Sequence, residues 1–133
     1  MTAPRQHLAA LTLVVPDYDE AIAYYRDVLG FEVKQTVPDA EPFVFVWLER
    51  DGVPVFLNDV KAATADYPPM ASVPPGGTAT LFFAVTKVDD LHALVAPRAT
   101  VVMPLATQFY GMREFAVADP DGHILTFAER VSG

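Results

Sequence analysis

The sequence predicts an α+β fold built from two paired βαβββ modules, with curved mixed sheets around a cavity. Three observations carry this. Asp51-Gly52 recurs seventy residues later as Asp121-Gly122, and Val15 with Tyr18-Asp19-Glu20 recurs as Val85 with Val88-Asp89-Asp90. Each copy reads in the same order, strand, helix, strand and hairpin. A Pro/Gly-rich stretch separates them. A constant offset across a helix start and a hairpin turn indicates duplicated supersecondary units facing one another. The 133 residues form one domain, with modules at approximately 8–58 and 78–130 and a linker at 59–77.

The first module opens with a strand over 8–15, rich in aliphatic and β-branched side chains and ended by Pro16. Asp17 is an N-cap, with Glu20 three residues on as its capping-box partner. Ile22, Tyr25 and Leu29 recur at helical spacing and give the helix one buried face. Gly30 suits the left-handed position after the last turn. Phe31–Thr36 is a second strand. Residues 43–50 and 53–59 form a hairpin around Arg50-Asp51-Gly52.

Residues 59–77 carry Pro68, Pro69, Pro74, Pro75 and Gly76-Gly77. That composition reads as a connector, and equally as a flap over a pocket. The second module then repeats the plan. Residues 79–85 are a strand, and Thr86 caps a short helix carrying Val88, Leu91 and Val95, stopped by Pro97. Residues 99–103 form the next strand. Residues 112–119 and 123–130 make the last hairpin around Asp119-Pro120-Asp121-Gly122, where Pro pre-sets one dihedral and Gly takes the positive one.

Composition excludes several function classes. Hydrophobic residues are 52% and charged residues 20%, as in a globular chain with a core. Nine Lys and Arg against seventeen Asp and Glu give a net charge of −8, which argues against a nucleic-acid partner. An acidic surface repels anionic membranes and favours cationic ligands. The absence of cysteine removes disulfides, thiolate metal sites and Cys nucleophiles. No stretch approaches the roughly eighteen apolar residues of a membrane span. The first ten residues show no signal-peptide pattern, so a cytoplasmic location is expected. There is no Gly-rich phosphate loop, nucleophile elbow or H-E-x-x-H pattern.

The segments PDYDEAIAYYRDVLGFEV and FYGMREFAVADPDGHILTFAER together resemble the vicinal oxygen chelate superfamily. This group includes glyoxalase I, extradiol dioxygenases, fosfomycin-resistance enzymes and bleomycin-resistance proteins. The resemblance covers about residues 8–130. It implies the paired βαβββ (glyoxalase/bleomycin resistance/dioxygenase-like) fold, with a homodimer as the usual assembly.

Enzymes of this superfamily hold a divalent metal with ligands on the first and fourth strands of each unit, commonly His and Glu. Carried over, those places fall on Ala10 and Phe56 in the first module and on Thr80 and Thr126 in the second. The seventy-residue offset relates the two pairs to each other. None is a competent ligand, so no metal and no cofactor are expected. Of the three histidines, His7 lies upstream of the first strand, His92 near the solvent side of the second helix, and His123 after the turn. Strand parity points His123 away from the cavity, and each reads as a surface or turn histidine.

The same parity gives the cavity lining. Thr12 and Val14 share a face with Ala10, Asn58 with Phe56, and Ile124 and Ala128 with Thr126. Met112, Glu114 and Ala116 come from the preceding strand, and either Trp47 or Val46 from the third strand of the first module. Trp47, Phe43, Phe45 and Phe56 read first as core aromatics and only second as a ligand platform. Glu114 reads as a ligand anchor or general base, with Tyr110 as its acid, or as a salt-bridge partner of Arg113. Phe109-Tyr110-Gly111 reads as an aromatic lid with a glycine hinge, or as a dimer contact. The ligand-binding set is thus Thr12, Trp47, Phe56, Asn58, Thr80, Phe109, Tyr110, Met112, Glu114 and Thr126. The resemblance, with no metal ligands, favours a binding protein akin to the bleomycin-resistance branch, sequestering a small, partly aromatic ligand. The alternative is a glyoxalase-like lyase or isomerase, or an extradiol-type dioxygenase.

Overall fold

The computed structural model describes residues 3–6, 8–76 and 79–132. Two four-stranded mixed sheets are present, with strand orders β1-β4-β3-β2 and β5-β8-β7-β6. The first comprises β1 (Thr12–Val15), β2 (Glu32–Val37), β3 (Phe45–Arg50) and β4 (Val53–Asp59). The second comprises β5 (Thr80–Ala84), β6 (Thr100–Thr107), β7 (Met112–Ala118) and β8 (Ile124–Arg130). In each sheet the first strand pairs parallel with the fourth, and the rest of the sheet is antiparallel. The predicted α+β class with two βαβββ units is the observed one. Among the described residues no helix is long and apolar enough to cross a membrane.

Alternation sorts each sheet into two faces. Leu13, Val15, Val46, Leu48, Val55 and Leu57 are buried on the helix side of the first sheet. Leu81, Phe115, Val117, Leu125 and Phe127 do the same in the second. These residues, with Ile22, Tyr25, Leu29 and Phe31 from the first helical segment and Val88 and Val95 from the later helix, form one continuous core. The opposite faces, here the open faces, carry Thr12, Phe56 and Trp47 in the first sheet and Phe82, Thr126 and Ala116 in the second.

Helix α1 (Tyr18–Ala23) starts as expected, with the Asp17 carboxylate accepting the Glu20 N–H at 3.2 Å. It does not continue as a regular α-helix. Tyr24–Val28 is a π-helical turn, with Leu29 N–H donating to the Tyr24 carbonyl and Phe31 N–H to the Tyr25 carbonyl. The wider turn lets Tyr24 and Tyr25 both reach the second unit. Tyr24 donates to the Ala118 carbonyl at 3.3 Å and Tyr25 to Asp119 at 2.9 Å. Phe31 packs edge-on against Phe83, and Arg98 donates to the Asp27 carbonyl at 2.7 Å. Gly30, at φ +78°, ends the helix and leaves room for Arg50, whose guanidinium donates to the Leu29 carbonyl.

Several elements differ from expectation. The first strand pairs only over Thr12–Val15, shorter than the predicted 8–15, so Ala10 lies ahead of the ladder. The linker holds a helix, α2 (Val60–Asp66), capped by the Asp59 carboxylate, and a 3-10 turn at Pro68–Ser72. Thr86 does not cap α3 (Val88–Val95). Lys87 holds that place at φ +55°, and the Glu129 carboxylate accepts the Lys87 and Val88 N–H groups at 3.0 and 3.1 Å. A carboxylate from a neighbouring strand replaces the local hydroxyl and suits the positive end of the helix.

The two hairpins are also not equal. Asp51 and Gly52 both have positive φ, which makes a two-residue turn of the kind that matches strand twist. The second loop is Pro120-Asp121-Gly122, closed by an Asp119–His123 backbone pair, with only Gly122 at positive φ. The extra residue shifts β7 by one relative to β3, so the position facing Thr126 is Ala116 whereas that facing Phe56 is Trp47.

Tyr25 is fully buried and its hydroxyl donates to an ionised carboxylate. Tyr25→Phe keeps the packing and removes that bond, and is expected to cost about 2 kcal/mol in urea unfolding.

Candidate functional site

The structure distributes the predicted site residues over the two open faces. On the first, Thr12, Phe56, Trp47 and Gln35 stand in one row across the sheet, with Val14, Asn58 and Phe45 in the next. Trp47, and not Val46, is on this side; Val46 belongs to the core. Phe45 and Trp47 both meet Phe56 at ring-centroid distances of 5.1 Å in edge-to-face fashion. All three rings are half-buried, so this is an aromatic platform rather than core. Phe43 instead packs on Tyr18 beside the core. The Trp47 Nε1–H is buried without a hydrogen-bond partner among the described residues.

On the second open face, Phe82, Thr126, Ala116 and Met103 form the equivalent row, and Ala84, Ala128, Glu114 and Ala106 the next. Thr80 and Ile124 lie to one side, Met112 and Arg130 to the other. Glu114 is 5% exposed. The Tyr110 hydroxyl donates to it in a short contact, and this hydrogen bond, first among the causes, holds the phenol protonated to higher pH than usual. The expected alternative, an ion pair with Arg113, does not form. Arg113 projects to the helix side, where its guanidinium holds Asp89 at 2.9 Å and Thr107 at 3.2 Å. Successive strand residues face opposite ways, which is why neighbours in sequence do not pair here.

Phe109 and Tyr110 sit at the β6–β7 turn, Phe109 almost wholly exposed. Gly111 does not act as a hinge. Its carbonyl accepts the Val131 and Ser132 N–H groups, and an added Cβ would meet the Ser132 carbonyl at 2.4 Å. The turn is pinned by the C-terminal segment, and only a glycine fits there.

The positions that would carry a metal do not suit one. The carried-over places, Ala10, Phe56, Thr80 and Thr126, hold no imidazole or carboxylate, and Thr12 and Phe82, the strand partners of Phe56 and Thr126, hold none either. The acidic and imidazole groups that do converge are Asp119, Asp121 and His123, at the second hairpin turn. His123 stands at the end of the turn, as expected, but it is 7% exposed and part of the interior rather than the surface. Its parity matches that of Leu125 and Phe127, which face the core and away from Thr126. Asp119 Oδ2 accepts from the Tyr25 hydroxyl at 2.9 Å and sits 2.8 Å from His123 Nδ1. Its Oδ1 accepts the Asp121 and His123 N–H groups, both at 2.9 Å. A carboxylate has about four lone-pair sites, and all four are filled by protein donors. The cluster is a structural knot with no lone pair left on Asp119 for a cation. His92 is half-buried, edge-on to Phe115 at 5.0 Å, and His7 lies outside the described residues.

Two grooves open at the junction of the units. One, of about 210 Å³, lies between β1, β5, the segment Met70–Gly76 and His123. The other, of about 830 Å³, has Phe31, Phe83 and Phe127 for its floor and Arg50 and Lys87 among its rim residues. Of the ten predicted ligand-binding residues, only Thr12 lines either groove. Within one chain the two open faces do not combine into a shared pocket at either place. His123 and the segment Met70–Gly76 line the smaller groove; the sequence marks each, one after a tight turn and the other by its prolines, but does not bring them together.

Comparison with known proteins agrees with this architecture. The Glyoxalase/Bleomycin resistance protein/Dioxygenase superfamily profile matches residues 6–127. An uncharacterised protein of Mycobacterium bovis is 33% identical over 114 residues, covering 84% of this chain and 75% of that protein. Among solved structures, a protein of unknown function from Agrobacterium tumefaciens superposes with TM-score 0.78 at 24% identity, covering 96% of each chain. A glyoxalase/bleomycin resistance protein/dioxygenase from Nocardioides gives TM-score 0.79 at 21% identity, covering 99% of this chain and 88% of that one.

The buried groups set the pH limits of stability. Burial raises the Asp119 pKa, but the hydrogen bonds and charge of His123 and the Tyr25 hydroxyl outweigh it, so the net shift is downward. Stability from this group is complete above the ordinary Asp value of about 4 and is lost as pH falls below it. Asp121, raised by burial and by Asp119, opposes this in part. Burial, then the Asp119 charge, pushes Tyr24 up to about 12 and raises Tyr25 further. The unfolded chain releases these protons near pH 10, so stability is expected to fall as pH rises from about 10 towards 12. Urea unfolding across pH should show both limbs, and Asp119→Asn should flatten the acid one.

Proposed function

We propose, from the premise that this chain belongs to the Glyoxalase/Bleomycin resistance protein/Dioxygenase superfamily, that it is a metal-independent binding protein for a small, partly aromatic cation. The observation that carries this reading is the chemistry of the open faces. Where a metal enzyme of this fold needs imidazole and carboxylate, this chain offers Ala10, Phe56, Thr80 and Thr126. Around them stand an aromatic platform on one sheet and a single buried carboxylate, Glu114, on the other.

Within one chain Glu114, Ala116 and Ala128 are already buried, but other parts of the second open face and the turn beside it are not. Phe82 and Phe109 are exposed at 60% and 98%. A homodimer in which one copy's first sheet meets the other's second sheet would enclose both. The ligand would then lie between the Phe45–Phe56–Trp47 platform and Glu114. Stacking and apolar burial supply affinity, and the carboxylate fixes the cation. The net charge of −8 favours the approach of such a ligand. Resistance to a bleomycin-type antibiotic by sequestration is the specific form of this reading.

A second reading rests on the Tyr110–Glu114 contact. A phenol and a buried carboxylate in direct hydrogen bond are an acid and a base. They could move a proton on a bound carbonyl compound, as in a metal-free isomerase or lyase.

Glu114→Gln separates these readings. In calorimetric titration with planar cationic aromatics, including bleomycin, the wild-type chain is expected to release heat. The variant should bind at least about tenfold more weakly, the worth of one charge-assisted hydrogen bond. Unchanged affinity combined with lost turnover of a carbonyl substrate would favour the enzyme. A stoichiometric divalent metal found by elemental analysis of chelator-free protein would overturn both.

A further inference from the structure

The geometry points to a second binding site, in the groove between β1 and the proline-rich segment Met70–Gly76. Its ligand class is a small neutral molecule with one hydroxyl on an apolar, ring-sized body. This site does not rest on the reading given for the open faces, although Thr12 and Val14 border both.

The groove is built rather than incidental. Leu11, Leu13 and Leu81 form one side, and Met70, Val73 and Pro74 lie across them. Val73 and Met70 are 62% and 40% exposed although apolar, so they form an edge to the groove without being buried by it. The covering segment is fixed at its end. Gly76 has φ +94°, and a Cβ there would lie 2.8 Å from the Asp121 carbonyl, so the chain crosses the hairpin turn in direct contact. That contact sets the proline-rich segment beside His123.

His123 is the one ionisable side chain in the lining, and it is more than nine-tenths buried. Its orientation is imposed by Asp119. The carboxylate accepts from the Nδ1 side at 2.8 Å while Tyr25 holds the same oxygen from the other unit. In the neutral ring the proton therefore sits on Nδ1, and Nε2 carries the lone pair. Among the described residues none pairs with Nε2, and Trp47 Nε1 is the single fully buried side-chain polar atom without a partner, so Nε2 is not fully buried. Nε2 thus retains access to the space beside it.

These features select a ligand. An acceptor nitrogen in an apolar groove calls for an O–H or N–H donor. The lining holds no cationic side chain, and the Asp119 carboxylate stands behind the ring, so an anion is disfavoured. Metal cations are excluded by the filled lone pairs of Asp119. A volume of about 210 Å³ falls below the range of drug-sized pockets, about 300–1,000 Å³, and suits a single ring with a short substituent. A phenol meets all of these terms.

The test uses p-cresol and toluene, which differ by the hydroxyl, on the full chain. In an NMR titration p-cresol should shift the His123 ring protons and leave the Trp47 indole N–H in place. It should bind about 3- to 10-fold more tightly than toluene, the range of one neutral hydrogen bond. His123→Phe should bring p-cresol down to the toluene level. Because that variant also removes a partner of Asp119, a second one guards the test. Val73→Trp, at an exposed position, should fill the groove and abolish binding of both probes without changing the far-UV circular dichroism. The proposal is overturned if p-cresol perturbs Trp47 and not His123, if the two probes bind equally, or if Val73→Trp leaves p-cresol affinity intact.

Discussion

The Asp119 carboxylate is the point on which the two halves of the chain depend. It is buried to zero exposure and takes four donors, two from its own turn, one from the His123 ring and one from Tyr25 of the other unit. A buried charge is tolerated only when it is fully hydrogen-bonded, and each of these donors would be left unpaired without it. The hairpin loop, the first helical segment and the inter-unit core therefore stand or fall together. Tyr24, Phe31 and Arg98 add contacts along the same seam.

From that seam outward, each sheet is divided into a face that builds the protein and a face that is left for something else. The helix sides close into one core. The open faces carry two unlike surfaces, aromatic on the first sheet and small-residue with a lone carboxylate on the second. The asymmetry matters because the two copies began from one plan. Equivalent places hold Thr12 and Phe82, and Phe56 and Thr126, so bulk and hydroxyl have exchanged strands between the copies. Two such faces brought together would set a large residue of one against a small residue of the other.

Much of this was legible in the sequence for simple reasons. Asp17, Gly30 and the two Asp-Gly turns act locally, so their signals survive without tertiary context. Strand parity assigned Thr12, Phe56, Asn58, Met112, Glu114 and Thr126 to the open faces because a period of two is rigid. What was not legible involves partners distant in the chain. Glu129 capping α3 from 41 residues away has no local signature, so Thr86 was the natural and incorrect choice. Parity turns His123 away from Thr126 but does not foretell its burial, which depends on how the other unit packs against the turn. Arg113 and Glu114 are adjacent in sequence but lie on opposite sides of β7, so the Arg113 ion pair, one of the alternatives for Glu114, does not form. The helix within the linker escaped notice because the prolines that follow it dominate the composition.

The π-helical turn at Tyr24–Val28 makes the length of the first helical segment a structural requirement rather than a detail. Each residue advances an α-helix by about 100°. Removing one residue from this turn would restore regular winding and swing the side chains before or after it off their present bearings. Tyr25 and Phe31 lie on either side of such a cut, and both meet the second unit. A one-residue deletion could keep one of them in place but not both. The first helix is thus intolerant of gaps in a way that a surface helix of the same composition would not be, and its spelling is fixed by a turn 94 positions downstream.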